Sequence, residues 1–195
     1  MNLTRYDSVW HAAEPYLRAR KNDVHIPLSF AWCQKLLDHY PQADRDICSL
    51  AILLHDIGWF SIDHETIIDE GFRSKEFLSD VRYLHEKEGV RLATAVLETT
   101  GWKQDIIAAV CEIIDGHDTR PEPRHLNDRI VRDADKLWRY EVTGIAVACD
   151  WFGVTPHAYC DRAAAQLPQF ETELGRDLAE TELANTRSRL MLHLL

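Results

Sequence analysis

The side chains able to do chemistry in this chain gather where histidine and aspartate close apolar runs. His55 and Asp56 are adjacent and end the apolar part of LAILLHDIGW. Both can ligate a metal. Neighbours on an ideal helix point about 100° apart, so the two reach one ion most easily at a helix end, where the backbone opens. A lone His-Asp dipeptide is a short motif, and taken alone it is better explained as a solvated helix end. Other groups change that balance. His25 precedes the second helix, His85 lies in YLHEKEG, His117 and Asp118 close an isoleucine-rich run, and Asp133 and Asp135 lie in IVRDADKLW. Asp135 falls on a helix whose apolar face is Ile130, Val131, Ala134 and Leu137. A carboxylate beside a buried face needs a partner, and a metal ion supplies one. Imidazole mixed with carboxylate suits a divalent transition metal (Mn, Fe, Co, Ni or Zn) better than calcium, which takes oxygen alone.

Helical periodicity predicts the elements that position these groups. Residues 7–20 read as a first helix, stopped near Lys21–Asp23. A second runs to Tyr40, with Pro27 in its first turn, Leu28, Ala31, Trp32, Leu36 and Leu37 at helical spacing, and Pro41 after it. Asp44 is placed to cap a third helix that reaches His55, and Gly58 suits its C-terminal cap. Residues 60–79 read as a loop with one short helix. Strong helices follow over Asp80–Thr99 and Trp102–Asp115, ended by Gly101 and Gly116. Thr119–Arg124, with two prolines, is a loop; helices resume at Leu126–Trp138 and over roughly 141–150, 156–166 and 171–194. Few runs alternate with period two, and none looks like a sheet. The expected fold is all-α: one compact multi-helix bundle over residues 1–195, its core at roughly 20–150, with the first and last helices packed on it.

With 195 residues, 46% of them hydrophobic, and six tryptophans, the chain can bury a full core. The formal net charge is -10 and no block of lysine and arginine occurs, which argues against binding long nucleic acid. An acidic protein with an anionic substrate must concentrate positive charge locally, and a metal does so simply. The five cysteines form no C-x-x-C pair and lie by apolar runs, so buried free thiols are expected rather than disulfides. No apolar leader and no stretch of about 20 apolar residues occurs, so no signal peptide or membrane span is expected, and the cytoplasm is the expected compartment. Leu174, Leu178, Leu183, Leu190 and Leu192 of the last helix could pack on the core or form a homodimer.

The order His25, then His55-Asp56 followed by Ile57-Gly58, then Asp-Ala-Asp-Lys-Leu with Asp135, resembles the HD-domain superfamily of metal-dependent phosphohydrolases. The resemblance spans roughly residues 20–150. It implies a metal site between helices, with His25, His55, Asp56 and Asp135 as ligands and Asp133 the weaker match for the last. It also implies that His85 and His117 either hold a second ion or contact the substrate phosphate. One ion per chain is favoured over two. The implied reaction is hydrolysis of a phosphate ester of a small molecule, nucleotides included, by a metal-activated water that Asp56 or Asp118 orients. Lys136, Arg120 and Arg124 are candidates to hold the substrate, and Arg73 and Lys75 weaker ones.

Two other functions stay open. Six filled ligand positions also suit an HD-type oxygenase with two irons, acting on a phosphonate-like or polyol substrate. A non-catalytic nucleotide-binding module predicts a damaged ligand set, which this is not. At the place where cyclic-dinucleotide phosphodiesterases of the superfamily carry adjacent histidines, this chain has His117-Asp118. His11, His39, His64, His125, His157 and His193 match no motif position and read as surface residues, with His64 near enough to the doublet to line the site. Glu86 and Glu88 read as an exposed helix face that could alternatively support the neighbouring His85 or act as a general acid, and Trp59 and Phe60 as core aromatics that could alternatively stack on a base.

Overall fold

The computed structural model describes residues 3–62 and 80–192. The expected loop at 60–79 lies outside the described residues from position 63 on, and His64, Arg73, Lys75 and His193 with it. Among the described residues there are helices and no strand.

Helix α1 (Asp7–Ala13) is shorter than the periodicity predicts. Pro15 has no N–H to continue it, and a 3₁₀ turn, Glu14–Tyr16, takes over. Arg20 and Lys21 then both adopt left-handed φ values of 48° and 57°, which costs about 1 kcal/mol or more at each non-glycine residue. This reversal starts α2 (Asn22–His39) earlier than expected. His25 therefore lies inside α2, and Pro27 is an interior proline rather than a first-turn one.

α3 (Arg45–Leu54) begins where Asp44 Oδ1 accepts from the backbone N–H of Asp46 and Ile47 at 2.9 and 3.0 Å. Its residues Cys48–Leu54 are all buried, which marks a helix enclosed on every side. A 3₁₀ turn, Ile57–Ser61, follows the doublet. Next come α4 (Asp80–Thr99), α5 (Gln104–Ile114) and α6 (Leu126–Leu137), the last capped by His125 Nδ1, which accepts from Asp128 N. After a 3₁₀ turn at Trp138–Tyr140 the chain adds α7 (Val142–Phe152), α8 (Pro156–Gln166) and α9 (Glu173–Arg189).

α3 is the hub. It packs on α2, α5 and α6; α2 packs on α6, and α4 lies on α5 and on the Ile57–Ser61 turn. One buried cluster takes in Val9 and Ala13 of α1 as well as Ala179 and Leu183 of α9, so both chain ends join the same core. Leu174, Leu178, Leu190 and Leu192 pack against it, half-buried. All five cysteines are free, but only Cys33, Cys48 and Cys160 are buried; Cys111 and Cys149 keep some exposure because they stand on outer faces of α5 and α7. No helix among the described residues is long and apolar enough to cross a membrane.

Candidate metal centre

Two apolar helices end in the same way. α3 runs into His55, and α5 is followed within one turn by His117. Each imidazole folds back on its own helix: His55 Nδ1 meets Ile52 O at 2.9 Å, and His117 Nδ1 meets Ile114 O at 2.9 Å. The last carbonyls of a helix lack intrahelical partners, and the ring N–H supplies one. The bond also sets the ring orientation and aims Nε2 away from the helix.

Both Nε2 atoms point at Asp56. Its Oδ2 lies 3.3 Å from His25 Nδ1 and 3.8 Å from His55 Nε2. Its Oδ1 lies 3.5 Å from His117 Nε2 and 3.6 Å from His85 Nε2. Asp135 of α6 completes one side, with Oδ1 2.8 Å from His25 Nε2 and 3.4 Å from His55 Nε2. Asp118 completes the other, with Oδ2 3.9 Å from His85 Nε2, while His85 and His117 approach to 3.4 Å through their Nε2 atoms. His25, His55 and Asp135 thus form one cluster, and His85, His117 and Asp118 a second, with Asp56 between them.

A divalent transition metal fits this donor set. His55 Nε2 is buried with no hydrogen-bond partner, and a buried polar atom left unmatched costs about 1–3 kcal/mol. The surrounding donors are imidazole and carboxylate in a setting largely closed to water, which is the chemistry such ions take.

Backbone approach brings the two clusters together. Gly58 does not cap a helix: a Cβ there would collide with His85 O and Gly89 N. Glycine at that position lets α4 lie directly on the turn that carries the doublet. Asn22, the first residue of α2, donates its side-chain N–H to Asp56 O at 3.0 Å, and Trp59 Nε1 donates to Asp56 Oδ1 at 2.9 Å. Trp59 stacks on His85 and Trp138 on His25, with ring centroids 4.1 and 4.6 Å apart, so each cluster has one ring clamped by an indole. Phe60 is half exposed and meets Tyr16 edge-on.

Glu86 departs from its expected exposed position. It is 1% exposed and accepts from Asp118 N, Thr119 N and Thr119 Oγ1 at 2.9, 2.9 and 2.6 Å. The turn after α5 lands on α4 there and buries it; Glu88, two residues on, pairs with Arg91 at the surface. Asp133 faces away from both clusters and accepts from Glu171 N and Thr172 N at the start of α9.

The electrostatics of the two clusters differ. Burial opposes charge on His25, but its bonds to Asp135 and then Asp56 raise its pKa. Burial also opposes charge on His117, and Asp56 followed by Asp118 overrides it, raising the pKa to about 10. For His85, burial and then the charge of His117 prevail and push it down to about 3. Burial favours neutral Asp56 and Asp135, yet their neighbours hold both well below the usual carboxylate range: first the adjacent His55 for Asp56, first the Arg139 guanidinium for Asp135.

The profile of the HD domain matches residues 25–139. The chain belongs to the HD-domain family. The matched segment begins at His25 and reaches past Asp135, so it contains every residue of both clusters. A solved structure from an uncultured Thermotogales bacterium, described as a predicted HD superfamily hydrolase, has a similar fold, with a TM-score of 0.66 at 21% identity over 100% of this chain and 98% of that one. No curated protein matches the chain.

Beside the clusters lies a cavity of about 520 Å³, whose lining includes His117, Asp118 and Asp135 together with Arg82, Lys136 and Arg139. Lys136 donates to Gln169 O at 2.7 Å. Arg120 also lines the cavity, but its guanidinium is committed to Asp128 and to the carbonyls of Glu112 and Asp115. Arg124 does not line it; it pairs with Glu112 at the surface. Arg139 and Arg82 are the basic residues that motif reading passes over. Helical spacing would have found both, since Arg139 stands four residues after Asp135 and Arg82 three before His85. Arg20, whose guanidinium lies 4.2 Å from the Trp59 ring centre, had no such signal, because the left-handed turn puts it there.

Proposed function

We propose that this chain is a metal-dependent hydrolase of phosphate esters of small molecules, nucleotides among them. The observation that carries the reading is the division of Asp56: one oxygen faces His25 and His55, the other His85 and His117, beside a cavity whose lining includes Arg82, Lys136 and Arg139. The description of the Thermotogales structure as a hydrolase supports it. His25, His55, Asp56 and Asp135 would hold one ion; His85, His117 and Asp118, with Asp56 shared, would hold a second. The sequence favours a single ion, and the two-sided placement of Asp56 favours two.

When bound, the metal supplies Lewis acidity to water and to a phosphoryl oxygen. The protein's residues supply the rest. Asp118 borders the cavity, and the charge of His117 lowers its pKa against its burial, so its carboxylate accepts a hydrogen bond from the attacking water. His85 stays neutral across the physiological range and presents a lone pair rather than a charge. The cavity cations hold the phosphate while the water gives a proton to Asp118, the new P–O bond forms and the ester P–O bond breaks; the leaving oxygen takes a proton from solvent, and Asp118 returns its own to solvent.

The test is elemental analysis of protein purified in the absence of air and chelator, followed by a panel of phosphate esters. Bound metal with ester cleavage that stops on chelation is the expected result. No metal after reconstitution, or metal without cleavage of any ester, overturns it. A dinuclear-iron oxygenase is the second reading, favoured by the convergence of all six positions, His25, His55, Asp56, His85, His117 and Asp135; two equivalents of iron with oxygen uptake would establish it.

A further inference from the structure

We propose that Arg82 and Arg139 form a two-sided clamp for a terminal, doubly charged phosphoryl group, made available when the carboxylates beside them bind metal. The proposal rests on the metal-site reading above and names the substrate class of that site.

The two arginines come from different elements, α4 and the turn after α6, yet both line the same cavity. Each sits by the outermost carboxylate of a different cluster. Arg82 Nε is 4.0 Å from Asp118 Oδ2, and Arg139 Nη2 is 3.7 Å from Asp135 Oδ2. These separations exceed hydrogen-bond length, and neither guanidinium has a hydrogen-bond partner among the described residues. Their side chains keep 40% and 34% of their surface exposed.

The other cavity arginines are spoken for. Arg120 bonds Asp128 at 2.8 Å, and Arg132 bonds Asp128 at 3.1 Å and Gly116 O at 2.9 Å. Arg82 and Arg139 therefore keep unfilled donors toward the cavity.

The carboxylates that now balance them are also metal-capable. Once Asp118 and Asp135 give their negative charge to an ion, two guanidinium groups face one cavity without a counter-charge. Guanidinium forks match pairs of oxygens on a tetrahedral anion. Two forks on two sides require more than one charge and at least three free oxygens. A terminal PO₃ dianion offers both; a phosphodiester, with one charge and two free oxygens, does not. A phosphomonoester and a phosphonate carry this same group, and turnover separates them: a monoester is hydrolysed at its P–O bond, while a simple alkyl phosphonate binds and is not.

The experiment is calorimetric titration of the metal-loaded chain with inorganic phosphate and, separately, with dimethyl phosphate. Inorganic phosphate should bind and dimethyl phosphate should bind at least tenfold more weakly. Arg82→Gln and Arg139→Gln should each weaken phosphate binding by roughly tenfold to a hundredfold with metal content and melting temperature unchanged. Lysine at either position should restore part of that loss, since it keeps the charge and lacks the fork. Phosphate affinity unmoved in both glutamine variants overturns the clamp, as does dimethyl phosphate binding as tightly as phosphate. Arginine-dependent phosphate binding without cleavage of any ester upholds the clamp and sinks the hydrolase reading; ester cleavage with phosphate affinity unmoved does the reverse.

Discussion

The two clusters around Asp56 are built from different materials. His25, His55 and Asp135 come from α2, the end of α3 and α6, three helices that pack on one another at the centre of the core. His85, His117 and Asp118 come from one helix and one turn, and a single buried carboxylate, Glu86, ties that turn to that helix. The first cluster is therefore positioned by the same apolar contacts that stabilise the fold. The second depends on a few polar bonds that can be changed without opening the core. This difference makes the second cluster the place where metal affinity, and with it the reaction, can be tuned.

The largest effect is expected from the one residue the clusters share. Asp56→Asn should remove bound metal from both and lower ester cleavage by roughly a thousandfold; full metal content in the variant would show that the clusters do not share a ligand. Next, Glu86→Gln keeps the shape but weakens the bonds to Asp118 and Thr119. It should lower metal affinity at the second cluster by about 10- to 100-fold and leave the first untouched, so titration should show one tight and one weak equivalent. Equal weakening of both would erase the distinction between core-held and turn-held ligands.

The smallest effect is on stability against pH in the metal-free chain. His117, raised to about 10 from 6.5, contributes stability that is complete below pH 6.5 and is lost as pH climbs through 10. His85, lowered to about 3 from 6.5, acts oppositely: the unfolded chain takes up a proton below pH 6.5 that the folded chain refuses until about pH 3. Both losses start at the same point, so the melting temperature of chelated protein should peak near pH 6.5. Metal takes the place of the His117 proton, so loaded protein should hold its stability further toward alkaline pH; identical profiles with and without metal would remove His117 from the ligand set.

Much of the fold was legible because helix signals are local. Asp44 caps α3, Gly101 and Gly116 take positive φ after α4 and α5, and α4 spans Asp80–Thr99 as the periodicity predicts. Where the reading slipped, the cause lay outside the segment. Gly58 looked like a cap, but it is glycine because α4 crosses it. Glu86 sits in a charge-rich stretch and looked exposed, because nothing near it in sequence shows that the turn at Asp118–Thr119 will cover it. His25 looked like a residue before a helix, because two left-handed residues that no motif marks begin α2 early.

The sequence by itself determined the helical class, the family and the residue types that gather around Asp56, since periodicity, caps and short ordered motifs are written in neighbouring positions. Only the tertiary structure decided which oxygen of Asp56 faces which histidine, which carboxylate supports the second cluster, and which arginines stay uncommitted beside the cavity. Those facts depend on where helices distant in sequence touch, and that is set by packing across the whole core.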